Sequence, residues 1–338
     1  MRLWFRAHNA RLIAFALVVA LFAIPVIALL WMTAVPGKSY AGPLSPRTAK
    51  ETELAQRLRR HVEAIAREPH NIGHPEAFER SARYIETTLA GFGYQVATQR
   101  FDNGRARNIE VALLPDDGPG PSLVIGAHYD SAFSAPGAND NGSGVAALLE
   151  LARMLADLKA EVGAPIRFVF FANEEPPFFQ TDYMGSRVYA ERLRASGEKV
   201  RGMWSLETLG YYDDRPGSQH YPFPLGWLYP DTGNFIAFVG TTGSRDFVRR
   251  SVAAFRARAA FPSVGGTAPG FVQGIDWSDH WAFEQAGFPA LMITDTAPFR
   301  YPRYHSTADT SDKLDYARLA RVVTGLEAVV RSGALQRP

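Results

Sequence analysis

The sequence predicts an α/β domain, with helices flanking a largely parallel sheet, set behind a single N-terminal membrane helix. Three observations carry this. Between residues 107 and 331, apolar strand-like runs alternate with helical patterns, the arrangement that builds parallel sheets. Leu12 to Met32 is a run of 21 residues without a charged or strongly polar side chain. No internal repeat and no second linker interrupts the remainder, so residues 47–338 form one domain.

In chain order, Arg2, Arg6 and Arg11 precede the apolar run with no acidic residue among them. The positive-inside rule therefore puts residues 1–11 in the cytoplasm, residues 12–34 across the bilayer and the rest on the extracytoplasmic side, periplasm or outer face if bacterial. Pro25 lies inside the run, and membrane helices tolerate it. A cleaved signal peptide is the competing reading, but its apolar region usually spans about 7–15 residues, and Thr33 to Gly37 makes a poor small-x-small site. Residues 35–46, with three prolines and two glycines, form a linker. Amphipathic patterns then predict helices over 47–68 and 81–89, followed by strands at 107–113 and 122–128. A helix at 143–158, a buried strand at 166–172, a helix at 184–195 and an extended run at 202–207 come next. Helices at 245–257 and 279–286, a strand at 289–294 and a helix at 313–331 complete the order. Residues 211–238 hold eight aromatics among prolines and glycines, which predicts an ordered loop lining a site.

Composition narrows the chemistry. The 338 residues are 46% hydrophobic and 21% charged, which excludes collagen-like and mainly disordered classes. A formal charge of +2 offers no nucleic-acid footprint. Cysteine is absent, which rules out disulfides, thiol nucleophiles, zinc fingers and iron–sulfur clusters.

Charged residues stand at the ends of apolar strands. Leu123 to Ala127 runs into His128-Tyr129-Asp130, and residues two apart on a strand share a face. Asp130 can then take a hydrogen bond from one imidazole nitrogen of His128 while the other binds a metal. Asp140 lies in the glycine-rich stretch Gly137 to Gly144, just before a helix, where it either caps that helix or serves as a ligand. Glu174 and Glu175 follow the apolar strand 166–172 and, if extended, point to opposite sides. Adjacent acids there are costly unless solvated, paired or metal-bound. Glu207 closes another apolar run, and His305 precedes the last helix. Two histidines, three ligand-type carboxylates and a spare acid suit a pair of divalent ions bridged by one carboxylate. Without sulfur ligands, zinc with nitrogen and oxygen donors is expected.

These pieces resemble the co-catalytic zinc aminopeptidases of peptidase family M28, a group that also holds the glutaminyl cyclases. The resemblance rests on His128-Tyr129-Asp130-Ser131, Gly137 to Gly144, Asn173-Glu174-Glu175 and Met184-Gly185-Ser186. It continues through Ser278 to Phe283, Ala286 to Ala290 and His305 to Asp309, in the family's order. It implies a three-layer α/β sandwich with a mixed, mostly parallel central sheet. It implies two zinc ions, one held by His128, Asp140 and Glu207, the other by Asp140, Glu175 and His305, with Asp140 bridging. Glu174 is then the general base, Asp130 orients His128, and the Asp140-Asn141 bond is cis. Many members carry aspartate where Glu207 stands, and Asn173 replaces a frequent glycine. His280 lies in a matched motif but is expected to be structural, while His61, His70, His74 and His220 fit no ligand pattern.

The expectation is a membrane-anchored, zinc-dependent aminopeptidase acting on peptides with a free N-terminus, using metal-activated water. A glutaminyl cyclase on the same fold, a carboxypeptidase and a non-catalytic membrane-anchored binding protein are the alternatives. Phe178, Phe179, Tyr221, Phe223 and Trp227 either form an apolar pocket for the substrate or pack as ordinary core.

Overall fold

The computed structural model describes residues 2–115, 120–158 and 162–335, so Met1 and residues 336–338 of the expected tail and domain lie outside the described residues. The apolar run forms α1 (Arg2–Thr33), within which Ala14–Thr33 is long and apolar enough to cross a bilayer. Its large side chains, Phe15, Leu21 and Phe22 among them, are exposed. The proline-rich segment after it has no helix or strand and lies along the domain, with Val35 and Leu44 packed on the core.

A capping box starts α2 (Ala49–Ile65): Glu51 N–H donates to Thr48 Oγ1 at 3.1 Å while Thr48 N–H donates to Glu51 Oε2 at 2.7 Å. Next come α3 (Pro75–Gly91), β1 (Ala97–Phe101), β2 (Ala106–Leu113) and β3 (Ser122–His128). α4 (Gly144–Leu155), β4 (Ile166–Phe171), α5 (Gly185–Ala195) and β5 (Val200–Glu207) follow. Then come β6 (Ile236–Thr241), α6 (Arg245–Arg256), β7 (Ser263–Ala268), α7 (His280–Gln285), β8 (Ala290–Thr294), the short α8 (Ala297–Arg300) and α9 (Tyr316–Arg331). The helices and strands expected from pattern are present, with ends shifted by a few residues. β1, β6 and β7 were not expected, and α3 begins at Pro75 rather than at Ser81.

The strands form one mixed sheet in the order β1-β2-β4-β3-β5-β8-β6-β7. β4, β3, β5 and β8 run parallel; β1–β2, β2–β4 and β8–β6 are antiparallel pairs, and β7 runs parallel to β6. Alternation along each strand feeds two layers. Leu123, Ile125, Phe168, Phe170, Trp204 and Leu206 join the core beneath α2, α4, α6 and α9. Val124, Val169, Phe171 and Met203 join a smaller core beneath α5 and α7. On that second side the face of β8, β6 and β7 is roofed by loops, and an apolar pocket lies between them. His128 and Glu207 fall in register with this side, at the carboxyl ends of neighbouring parallel strands, where α/β sheets place their sites.

Candidate metal centre

His128 is buried at the end of β3. Its Nδ1 lies 3.1 Å from the main-chain carbonyl of Asp130 and 3.7 Å from that residue's carboxylate. A proton on Nδ1 donated to the carbonyl leaves Nε2 as the free lone pair. The Asp130 carboxylate has another occupation, not visible in the sequence: Glu174 N–H and Glu175 N–H each donate to it at 3.0 Å. It therefore fixes the turn beyond β4 that carries both glutamates.

Asp140 is held just as tightly. Gly137 adopts a left-handed φ of 73°, and a Cβ there would lie 2.6 Å from the Asp140 carbonyl oxygen, so glycine is required. Asp309 accepts the N–H groups of Asn139 at 2.9 Å and Asp140 at 3.1 Å, and Tyr301 donates to it at 3.0 Å. The Asp140-Asn141 peptide is cis. The buried Asn141 amide donates to the Leu206 carbonyl at 2.8 Å and its oxygen accepts Thr208 N–H at 3.0 Å, tying Asp140 to the end of β5. A side chain so enclosed leaves the Asn141-Gly142-Ser143 sequon no room for a glycan. α4 approaches β5 closely here: a Cβ on Gly144 would lie 2.4 Å from the Leu206 carbonyl oxygen.

At the end of β5, Glu207 accepts from Ser278 Oγ at 2.9 Å, and Ser278 in turn contacts Ser205 Oγ at 2.7 Å. His305 stacks on Tyr304 with centroids 3.8 Å apart and meets Phe133 edge-on. All seven residues expected at the site are thus brought together. Asp140 faces His128 Nε2 with Oδ1 at 3.3 Å and His305 Nε2 with Oδ2 at 2.9 Å. Glu207 Oε2 is 3.3 Å from His128 Nε2, Glu175 Oε2 is 3.3 Å from His305 Nε2, and Glu174 Oε2 stands back at 3.8 Å from His128.

The electrostatics follow from enclosing so many charges. Burial, reinforced by Glu175, Glu207 and Asp279 and opposed by His128, pushes the Glu174 carboxyl well above its usual range. Burial and the neighbouring Asp140 push Glu175 up to about 8. Burial disfavours charge on His305, but hydrogen bonding and attraction from Asp140 and Glu175 outweigh it and raise it to about 11. A cation relieves this crowding, and the donors fit one. Ligand atoms of His128, Asp140 and Glu175 lie within 4.8 Å of one another. Among the described residues, Asp140 Oδ1 and Glu175 Oε1 have no hydrogen-bond partner although buried. Lone pairs that converge in this way suit coordination better than hydrogen bonding.

Other residues take structural places. His280 is buried, with Nε2 2.9 Å from the Ile275 carbonyl, and His61 contacts Tyr84 and Glu150. Tyr221 lines the apolar pocket beside Glu207, with Leu225, Tyr229, Val239, Ile275 and Met292. Phe223 and Trp227 point away from it into solvent, and Phe178 borders a separate hollow with His74 and Phe133. Asp309 and Asn141, which position Asp140, were given no role from the sequence, although both lie in runs matched to the family, Gly137 to Gly144 and His305 to Asp309.

Together, fold and site define an α/β sandwich with a His/Asp/Glu cluster compatible with metal binding at the carboxyl edge of its sheet. The signature of peptidase family M28 matches residues 108–330, and the chain belongs to that family. The uncharacterized protein YfbL of Escherichia coli (strain K12) is 42% identical over 295 residues, covering 84% of this chain and 88% of that one. A probable leucine aminopeptidase of Arthroderma otae is 28% identical over 258 residues; the match covers 71% of this chain and 62% of the fungal protein. Solved structures share the fold at low identity. The aminopeptidase of Aneurinibacillus sp. strain AM-1 has a TM-score of 0.61 at 18% identity, covering 84% of this chain and 96% of its own. Fimbriiglobus ruber glutaminyl cyclase has a TM-score of 0.62 at 19% identity, covering 90% and 100% respectively.

Proposed function

We propose that the chain is a zinc-dependent aminopeptidase, anchored in the membrane by residues 12–34 and carrying its peptidase domain, residues 47–338, on the extracytoplasmic side. One observation supports the two-metal reading above the others: Asp140 turns one carboxylate oxygen to each of two histidines. His128 and Glu207 complete one donor set, and Glu175 and His305 the other. Zinc held there supplies Lewis acidity toward a peptide carbonyl and lowers the pKa of water. Glu174, close to both sets but standing off His128, is the proton carrier. Its carboxylate takes the proton of the attacking water and passes it to the departing amine nitrogen. Asp130 keeps Glu174 and Glu175 in place by holding their main-chain N–H groups. The apolar pocket beside Glu207 takes the side chain of the N-terminal residue, and its lining favours an apolar one.

The test is mass spectrometry of products from the full chain and unblocked peptides, glutamine-initiated ones included, with and without chelator. Chelator-sensitive loss of one N-terminal residue is the expected result. Loss of ammonia alone from glutamine peptides makes the chain a cyclase instead, and no change in any peptide, with metal shown to be bound, leaves a binding protein.

A further inference from the structure

The apolar pocket is walled by two loops whose outer faces are left uncovered by the described residues. Residues 221–230 (Tyr-Pro-Phe-Pro-Leu-Gly-Trp-Leu-Tyr-Pro) and 266–275 (Gly-Thr-Ala-Pro-Gly-Phe-Val-Gln-Gly-Ile) contain no charged side chain. Tyr221, Leu225, Tyr229, Val272 and Ile275 turn inward and line the pocket. Phe223, Trp227 and Phe271 turn outward and are 81%, 78% and 89% exposed. Large aromatics held this far into water, on neighbouring loops, mark a contact surface.

The end of α1 says what covers it. The helix does not lead into a free tether, because the domain grips the chain where it leaves the helix. Arg245 Nε donates to the Trp31 carbonyl at 3.0 Å, and its guanidinium lies 4.1 Å over the Trp31 ring. Thr267 Oγ1 donates to the Met32 carbonyl at 3.1 Å, and Arg249 donates to the Ala34 carbonyl. Arg256 Nη1 donates to the carbonyls of Pro36 and Gly37 at 3.0 and 2.8 Å, and Ser263 N–H to Ser39 Oγ at 2.9 Å. The chain therefore runs antiparallel to β7, from Met32 beside Thr267 to Ser39 beside Ser263. Followed backwards into α1, it leaves the domain past the carboxyl end of β7. The loop bearing Phe271 starts at that end. The other loop reaches the same place: Tyr229 Oη donates to the Gly265 carbonyl at 3.0 Å, and the Cβ position of Gly266 is 2.3 Å from Tyr229 Oη and 3.5 Å from Thr33 Cα. Both aromatic loops thus adjoin Thr33, the last residue of the apolar span.

We propose that Phe223, Trp227 and Phe271 form a rim seated in the headgroup region of the bilayer that holds α1, so that the pocket opens at the membrane surface and receives peptides from it. This rests on reading α1 as a membrane span. Phe and Trp on uncharged loops are the side chains that settle at the membrane–water boundary, and Arg245 and Arg249, at the end of α1, suit lipid phosphates. A gripped helix end holds the rim at one height, which a flexible linker would not do.

The experiment uses the full chain in phosphatidylcholine–phosphatidylglycerol vesicles. The absence of cysteine allows single nitroxide labels at Val26→Cys, Trp227→Cys, Phe271→Cys and Thr98→Cys, the last on the opposite edge strand β1. Collision rates with oxygen and with a water-soluble nickel chelate give each label's depth. The expected result is Val26 in hydrocarbon, Thr98 in water, and labels 227 and 271 within about 5–10 Å of the headgroup–acyl boundary. Labels 227 and 271 as water-accessible as Thr98, with Val26 in hydrocarbon, overturn the rim and leave the anchor standing. Val26 in water overturns both. Labels 227 and 271 shielded from both reagents and spin-coupled between molecules identify a second copy of the chain as the occupant, and overturn the proposal as well.

Discussion

Asp130 holds Glu174 by its backbone: the main-chain N–H of Glu174 donates to Asp130 Oδ1 at 3.0 Å, while Asp130 Oδ2 takes the next N–H along the chain. One carboxylate at the end of β3 thereby sets the position of two acids beyond β4, and its own main-chain carbonyl faces His128 Nδ1. Asparagine at this position can accept only one of the two N–H groups and turns a donor toward the other. Asp130→Asn is therefore expected to lower metal affinity or turnover by about 10–100-fold, the usual cost of losing a residue that supports ligands. Metal titration followed by peptide hydrolysis at saturating metal separates the two effects. Unchanged values for both would remove Asp130 from the site.

Glu174 differs from its neighbours in standing 3.8 Å from the nearest imidazole nitrogen, against 3.3 Å or less for Asp140, Glu175 and Glu207 to theirs. Glu174→Gln keeps the shape and removes the proton acceptor. Turnover is expected to fall by roughly 10²–10⁴-fold, with metal content by elemental analysis unchanged. A variant that loses metal in proportion to activity would make Glu174 a ligand instead.

These side chains were legible because each stands where an apolar strand pattern stops: His128 after Ala127, Glu207 after Leu206, Glu174 shortly after Phe171. A charge at the end of a buried strand is conspicuous in a one-dimensional pattern. The sheet's margins were not conspicuous. β7 reads Ser-Val-Gly-Gly-Thr-Ala because its two glycines admit Val252 and Tyr229 at close range, and β1 reads Ala-Thr-Gln-Arg-Phe because that edge strand is largely exposed and needs few apolar residues. β6 emerges directly from the aromatic loop, which masks its start. The supports of Asp140 were hidden for another reason. Asp309 and Asn139 are 170 positions apart, and only the folded chain pairs them.

The buried acid Glu150 gives a prediction about pH outside the metal centre. It lies on α4, fully buried, and receives Arg57 from α2 at 3.2 Å and Arg153 at 2.9 Å on one oxygen, with His61 at 3.1 Å from the other. Burial pushes its carboxyl up, but the hydrogen bonds with His61 and Arg153 outweigh this and hold it below the usual glutamate value of 4.5. A carboxyl whose pKa is depressed by folding stabilises in full above the unfolded value, and loses that contribution as pH falls through the folded value. Glu150→Gln is expected to destabilise the chain by about 1.5–3 kcal/mol near pH 7, the range for hydrogen bonds to charged groups. The gap from the parent protein should narrow below pH 4.5. Denaturant melts at both pH values check this, and a gap that widens in acid contradicts the assigned sign.

The pocket beside Glu207 yields the sharpest prediction about substrate. Val239 lines it from β6, in register with Gly266 of β7 on one side and Met292 of β8 on the other. Tyr229 Oη fills the space before Gly266, where any side chain would collide with it, so this edge of the pocket is closed by the tyrosine. A phenylalanine in place of Val239 adds bulk on the same face of β6 and shortens the pocket from the wall formed by β6. If the pocket holds the N-terminal side chain, Val239→Phe should lower kcat/KM for leucine- or phenylalanine-initiated peptides by roughly 10–200-fold relative to alanine-initiated ones, since each methylene excluded is worth about 1–3 kcal/mol. Parallel measurement on the two substrate sets cancels any general loss of folded enzyme. An equal fall for both sets means that the first residue binds elsewhere. A selective fall ties the apolar lining to the choice of substrate, and with it the two loops whose outer faces carry Trp227 and Phe271.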